Sequence, residues 1–114
     1  MARQSGERKS ARSEAQEATL RIIFEWDPAK ARRNLSKHGV RFDEAAVVFA
    51  APLARIFADS DYSSREHREI IIGHTALGRL LVVSFFARDE SIRIISARRA
   101  TRRERRDYEE NVIP

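Results

Sequence analysis

The residues best suited to chemistry are six arginines that fall within nine positions near the C-terminus. Three of them have an acid four positions on, as in a salt-bridged helix face: Arg103–Asp107, Arg105–Glu109 and Arg106–Glu110. Arg98, Arg99 and Arg102 have no such partner and stand at or just before a predicted helix N-terminus. Positive charge there opposes the helix dipole and costs up to about 1 kcal/mol each. Guanidinium groups and free helix amides together bind anions, so these three arginines predict a phosphate-binding surface.

A second set of polar residues follows the sequence Trp-Asp-Pro near the start of the predicted domain. Lys30, Asn34, Lys37 and His38 have the spacing i, i+4, i+7 and i+8, which places them on one stripe of a helix. On spacing alone the simpler interpretation is a solvated helix face. His38 precedes Gly39 and is also suited to complement the helix dipole at a C-terminus.

Charged residues also occupy the predicted strands. Glu66 and Arg68 share one face of a strand, where they suit a general base beside a clamp for phosphate. On spacing alone an exposed ion pair is the better interpretation of these two residues. Arg79 and Arg93 stand in the strands that follow, and an arginine in a central strand lies either at a solvated face or in a functional cleft.

Metal and cofactor chemistry has little support in the sequence. Asp59 and Asp61 lie in a run of Asp and Ser that is typical of a turn. The three histidines lack zinc-hydrolase spacing, no glycine-rich phosphate or dinucleotide motif is present, and the chain has no cysteine. We predict neither a metal site nor a cofactor.

The composition fits one small globular domain. The chain has 114 residues, of which 42% are hydrophobic and 34% charged, enough apolar surface for a single core. No apolar run is long enough to span a membrane, and the polar N-terminus has no secretory signal, so we predict a cytoplasmic protein. A formal net charge of +5 is a modest excess that suits a phosphate polymer as partner.

Residues 1–19 contain no aromatic residue and predict a disordered or weakly helical tail, followed by a single domain over residues 20–114. A strand at 20–24 precedes a helix that Asp27 caps and Gly39 ends. A second helix follows, with Asp43 as its predicted cap, and Pro52 closes it.

The rest of the chain has the period of strands. Segments 53–58, 68–75, 79–87 and 91–97 predict strands, the last three with short connections as in an antiparallel meander. Thr101 and Glu104 form a capping box for a final helix to about residue 111. The predicted fold is α+β, a small antiparallel twisted sheet with helices on one face, in the order β-α-α-β-β-β-β-α.

The ordered motifs resemble BrnT-type toxins of type II toxin–antitoxin systems. The similarity lies in Phe-Glu-Trp-Asp-Pro-x-Lys and Asn-Leu-x-Lys-His-Gly-Val, in Glu-x-Arg before Ile-Gly, and in Ile-Arg-Ile-Ile-Ser-Ala-Arg-Arg-Ala-Thr-x-x-Glu-Arg. It extends from Ile22 to about Glu110. The resemblance implies a fold similar to RelE toxins and a metal-independent endoribonuclease that stops translation. It also implies a BrnA-type ribbon–helix–helix antitoxin, through which alone the toxin would reach operator DNA.

The resemblance and the unpaired arginines together suggest roles for single residues. Glu66 or His38 would be the general base, and Arg68, Arg93 and Arg98 would stabilise the negative charge at phosphorus. Flanking phosphates would be bound by a further set: Lys30, Lys37, Arg79, Arg99 and Arg102. The alternatives are a non-catalytic RNA- or ribosome-binding module, a DNA-binding repressor and an inactive remnant that still binds an antitoxin.

Overall fold

A computed structural model describes residues 22–59 and 68–112 of the chain. The predicted tail at 1–19 and Glu66 lie outside these residues, as does most of the loop predicted at 59–65. Within them the elements are β1 (Ile23–Glu25), α1 (Pro28–His38), α2 (Phe42–Val47), a 3₁₀ turn (Val48–Ala50), β2 (Arg55–Ala58), β3 (Arg68–His74), β4 (Leu80–Arg88), β5 (Ser91–Arg99) and α3 (Arg102–Val112). The predicted order of elements and the α+β class are confirmed.

The five strands form one sheet in the order β1-β5-β4-β3-β2. Strands β2, β3, β4 and β5 pair antiparallel in that succession, and the last three have the short connections predicted for a meander. Strand β1 departs from the predicted all-antiparallel sheet, because it lies beside β5 and pairs with it in parallel, with Phe24 opposite Ile92. The sheet is therefore mixed, with a single parallel pair at one edge.

The main core lies on the back face of the sheet, the face that carries Ile71 of β3 and Leu81 and Val83 of β4. Helices α1 and α2 cover this face, and Phe42 and Val48 are buried in the same cluster. Successive side chains of β4 point to opposite faces, and Leu80 to Val83 are all buried because both faces of the sheet are covered there.

Helix α3 packs on the opposite side, the front face, which carries Ile72 of β3 and Leu80 and Val82 of β4. Its anchor is Tyr108, which is buried against these residues and donates a hydrogen bond of 2.8 Å from its hydroxyl to the Leu53 carbonyl oxygen. The prediction that all helices lie on one face therefore needs correction. Helix α3 places its buried aromatic side chain on the front of the sheet, so helices lie on both faces.

The helix ends follow local rules with one exception. Asp27 caps α1 by accepting from the Ala29 amide at 2.9 Å, and Gly39 ends α1 with φ of 69°, a left-handed conformation that glycine adopts freely. Helix α2 begins at Phe42, one residue before the predicted cap Asp43. Asp43 lies instead in the first turn, where its charge favours the helix dipole.

Strand β5 contains a β-bulge. Phe85 of β4 lies opposite Ile94, whereas the preceding Ser84 lies opposite Ser96, so Ile95 is an extra residue in the register. As a result Ile94 and Ala97 are both buried in the core of the back face.

No helix among the described residues has the length and apolar character needed to cross a membrane.

Candidate functional site

A row of four side chains crosses the front face at the end of the sheet away from Tyr108. Glu25 of β1 pairs in register with Arg93 of β5, Arg93 with Phe86 of β4, and Phe86 with Arg68 of β3. Each residue of the row comes from a different strand, and because they pair in register the four share one level of the sheet. The front face thus has an aromatic ring between two arginines.

The contacts within the row follow this register. The Arg68 guanidinium lies over the Phe86 ring, 5.3 Å from its centroid, a cation–π geometry. Arg93 donates to Glu25 at 3.3 Å, and both side chains of this pair are about half exposed. An exposed pair of this kind adds little stability and is easily exchanged for another anion.

Arg98 lies on the same face, closer to α3. Its two terminal nitrogens donate to the two carboxylate oxygens of Glu104, each at 2.8 Å. Glu104 also completes the predicted capping box: the Thr101 amide donates to its carboxylate at 2.8 Å, and its own amide donates to the Thr101 hydroxyl at 3.1 Å. The hydrogen bond from Arg98 is the main reason that the pKa of Glu104 falls to about 2.

The Arg98–Glu104 pair corrects the prediction that Arg98 has no acidic partner. Helical spacing cannot reveal this pair because it joins the end of a strand to the first turn of the next helix. Of the three helical pairs expected in α3, only Arg105–Glu109 brings its charges within 4 Å among the described side chains, at 3.9 Å.

Between α3 and the sheet, the front face forms a groove of about 450 Å³. Its floor is apolar and its rim carries charged and amide groups, from Arg98 and Glu104 at one end to Asn111 along the helix. The apolar lining consists of Phe57, Ile70, Ile72, Val82 and Tyr108. Burial raises the pKa of the Tyr108 hydroxyl, which stays neutral at physiological pH.

The half of the front face beyond this groove is less covered. Ser84 and Ser96 lie opposite each other on β4 and β5, between the level of Arg93 and that of Arg98, and both are half-buried. Their hydroxyl groups can donate to and accept from a bound polar chain. Hydroxyls and guanidiniums on one open surface suit a sugar–phosphate backbone.

The residues predicted on helix α1 lie on the other side of the sheet. Lys30 and Lys37 are exposed and His38 is half-buried, all on the helix that packs against the back of β5. Asn34, from the same stripe, is buried, and its amide group bonds the backbone of Val40 and Ala97. The stripe is therefore partly a structural contact and not a uniform solvated face.

Arg79 is held at the back of the molecule by a carboxylate. It donates from Nε to Glu44 at 2.9 Å, forms a second bond to the same carboxylate, and reaches the Gly39 carbonyl oxygen at 3.2 Å. This pairing is the main reason that the pKa of Glu44 is lowered and that of Arg79 raised. Its place is with α1 and α2, away from the front-face arginines.

The structure thus separates the predicted site residues into two groups. Arg68, Arg93 and Arg98 come together on the front face, and Arg102 is exposed at the start of α3. The back side of the molecule carries the other described members of the set: Lys30, Lys37, His38, Arg79 and Arg99.

Four front-face residues were not predicted as part of a site: Glu25, Ser84, Phe86 and Ser96. The alternation along β4 is a usable signal for two of them. Ser84 and Phe86 lie two and four positions after Val82, so they share its face of the sheet, whereas Phe85 shares the face of Val83. Among residues 22–59 and 68–112, no three His, Asp or Glu side chains cluster closely enough to hold a metal ion.

Comparison with known proteins agrees with this geometry. Residues 26–104 match the model of a family described as the ribonuclease toxin BrnT of a type II toxin–antitoxin system. The fold is similar to the 1.1 Å crystal structure of the Brucella abortus ribonuclease toxin BrnT, with a TM-score of 0.56 and 24% identity over 71% of this chain and 99% of that chain. No curated protein matches the sequence. Because the matched family model spans well over half of the chain, from Trp26 to Glu104, the protein belongs to the BrnT family of ribonuclease toxins.

Proposed function

We propose that the protein is a metal-independent endoribonuclease that cleaves RNA by attack of a ribose 2′-hydroxyl and thereby stops translation. The observation that carries this proposal is the convergence of Arg68, Arg93 and Arg98 on the open front face. Membership of a ribonuclease toxin family supports the reaction class.

The reaction needs few groups. A base takes the proton of the 2′-hydroxyl, and the 2′-oxygen attacks the adjacent phosphorus. The bond from phosphorus to the 5′-oxygen breaks, the 5′-oxygen takes up a proton, and a 2′,3′-cyclic phosphate forms. Negative charge grows on the phosphoryl oxygens during the attack. Fixed guanidinium groups can stabilise that charge without a metal ion. We assign this role to Arg98 and Arg93. Arg68 would bind a phosphate next to the reacting one.

Both Arg93 and Arg98 already bind carboxylates, which shows that each can bind an oxyanion from the front face. An RNA phosphate would replace Glu25 at Arg93 and share or replace Glu104 at Arg98. The exposed Arg93–Glu25 pair, at 3.3 Å, is the easier to exchange, whereas the Arg98–Glu104 pair has ideal two-bond geometry. We therefore assign the first phosphate contact to Arg93.

Glu66 is the base we favour. It stands two positions before Arg68 in the sequence, close to the front-face arginines along the chain. His38 is the weaker candidate because it lies at the end of α1 on the back of the molecule.

The partnership with an antitoxin follows from the family. We propose that a BrnA-type ribbon–helix–helix antitoxin neutralises the toxin in the cytoplasm, and that operator DNA is bound only through this partner. Co-expression with a cognate BrnA-type ribbon–helix–helix protein should give a co-purifying complex that no longer cleaves RNA. A complex that retains full cleavage activity would contradict this assignment.

The decisive experiment is incubation of the purified chain with a single-stranded RNA in excess EDTA. We expect cleavage and fragments that carry a 2′,3′-cyclic phosphate, and no reaction with the matching DNA, which lacks the nucleophile. Retention of RNA without cleavage would instead support the non-catalytic RNA-binding module. Cleavage that is lost in EDTA and restored by a divalent cation would contradict metal independence.

A further inference from the structure

We propose that Phe86 is a stacking platform for one unpaired nucleobase of a single-stranded RNA, with Arg68 and Arg93 binding the phosphates on either side of it. This inference rests on the proposed function and adds to it a positioning residue and a substrate class. Phe86 would hold the chain in place and would take no part in the transfer of protons.

The row across the front face provides the geometry. Phe86 lies on the central strand, opposite Arg68 on one side and Arg93 on the other. Neighbouring strands lie about 4.8 Å apart, so the two arginine Cα atoms are about 10 Å apart with the ring between them. The Arg68 guanidinium lies over the ring in this structure, so a base stacks on Phe86 when that guanidinium turns aside to a flanking phosphate, with Arg93 at the other end.

The core does not account for Phe86. Its neighbour Phe85 is 2% exposed and packs in the back-face core, with its ring 4.8 Å from that of Phe49. Phe86 is half-buried and belongs to neither of the two core clusters. Its contact is with the Arg68 guanidinium, a planar group that itself stacks on bases. A large aromatic on a sheet face, with an arginine on each neighbouring strand, is an arrangement suited to RNA-binding sheets.

The chemistry of the row selects single strands. A base within a duplex has both faces covered and cannot reach a ring on a sheet surface, whereas an unpaired base can lie flat on it. Stacking accepts any base because every base has a π-face, so this contact positions the RNA without choosing its sequence.

The test uses the full chain and an eight-nucleotide 2′-O-methyl RNA, which the proposed reaction cannot cleave, with the fluorescent base 2-aminopurine placed at each position in turn. We expect the wild type to quench the fluorescence at one position. Phe86→Leu should abolish this quenching and weaken binding by about 5- to 100-fold. Phe86→Trp should restore both, because an indole stacks at least as well.

Phe57→Leu is the control, since Phe57 is another front-face phenylalanine, more exposed than Phe86, but lies in the groove beside α3. It should bind and quench like the wild type. Thermal melts of all variants separate loss of stacking from loss of fold, and rescue by Phe86→Trp provides a second check.

The inference is overturned if Phe86→Leu binds and quenches as the wild type does, or if the wild type quenches at no position. The unmodified RNA distinguishes this failure from that of the nuclease. Equal cleavage by wild type and Phe86→Leu would refute the platform and leave the nuclease standing. Quenching by a wild type that cleaves no RNA would support the platform and refute the nuclease.

Discussion

The guanidinium of Arg98 and the carboxylate of Glu104 form a two-bond fork, with both nitrogen–oxygen distances at 2.8 Å. The fork links the end of β5 to the first turn of α3, and the same carboxylate accepts from the Thr101 amide. One acidic side chain therefore fixes the start of a helix and holds the arginine assigned to the reacting phosphate.

Glu104→Gln should lower the stability of the protein at neutral pH and flatten its dependence on acid. The pKa of Glu104 is about 2 in the folded protein, and in the unfolded chain it returns to its ordinary value of 4.5. Its contribution is therefore fully present above about pH 4.5 and is lost as the pH falls toward 2. Urea unfolding at about pH 7, 4.5 and 3 should show the wild type losing its advantage over the variant as acid is added.

Glu109→Gln is the control for this series, because its partner Arg105 lies 3.9 Å away and both side chains are about half exposed. It should leave the pH dependence close to that of the wild type. An acid-independent difference between wild type and Glu104→Gln would contradict the role assigned to this carboxylate.

Arg98→Ala should lower the rate of RNA cleavage by about 100- to 1,000-fold, the range typical of removing one group that stabilises a transition-state charge. Arg98→Lys should recover only part of the loss, because an ammonium cannot form the two parallel bonds of a guanidinium. Rates at saturating RNA for each variant give the measurement.

Arg33→Ala supplies the comparison for this loss, since Arg33 is an exposed arginine on α1 at the back of the molecule. It should cleave at nearly the wild-type rate. If Arg98→Ala has the melting temperature and the cleavage rate of the wild type, Arg98 has no part in the reaction.

Asn34→Ala should destabilise the fold by about 2–4 kcal/mol. The Asn34 amide donates to the carbonyl oxygens of Val40 and Ala97 at 3.0 and 2.8 Å and accepts from the Ala97 amide at 3.0 Å. Alanine leaves these buried backbone groups without partners. Ser36→Ala, an exposed position on the same helix, should change the free energy of unfolding little, and urea titration compares the two.

Gly73→Ala should cost about 1–3 kcal/mol through overpacking. A Cβ at this position would lie 2.9 Å from the Ala54 Cβ and 3.1 Å from a methyl group of Val48. Ala54→Gly removes the closest of these contacts. The double variant should therefore lose less unfolding free energy than the two single variants lose together. Strict additivity in urea unfolding would contradict the proposed clash.

Local signals predicted the elements well. Asp27 and Gly39 act at positions where their own backbone and side chains determine the helix ends, and Thr101 and Glu104 cap a helix by contacts three residues apart. Such features depend on near neighbours in the chain, which is what a sequence displays.

Contacts between residues far apart in the chain could not be predicted from the sequence. Helix α3 has one large buried side chain, Tyr108, and nothing in its spacing says which face of the sheet it covers. The partners of Arg79 and Asn34 are 35 and 63 positions away. The sequence named Arg68, Arg93 and Arg98, which share the front face, together with residues of α1, which lie behind the sheet. That separation depends on the packing of helices on opposite sides.

The extra residue at Ile95 decides which side of the sheet the last arginines of β5 occupy. Arg93 and Arg98 are an odd number of positions apart, and in an unbroken pleat such residues point in opposite directions. The bulge restores even parity, so both guanidiniums emerge together. If Ile95 took a regular place in the pairing, Arg98 would turn toward the buried side and Ala97 outward, so the cationic surface depends on this backbone irregularity as well as on the arginines that form it.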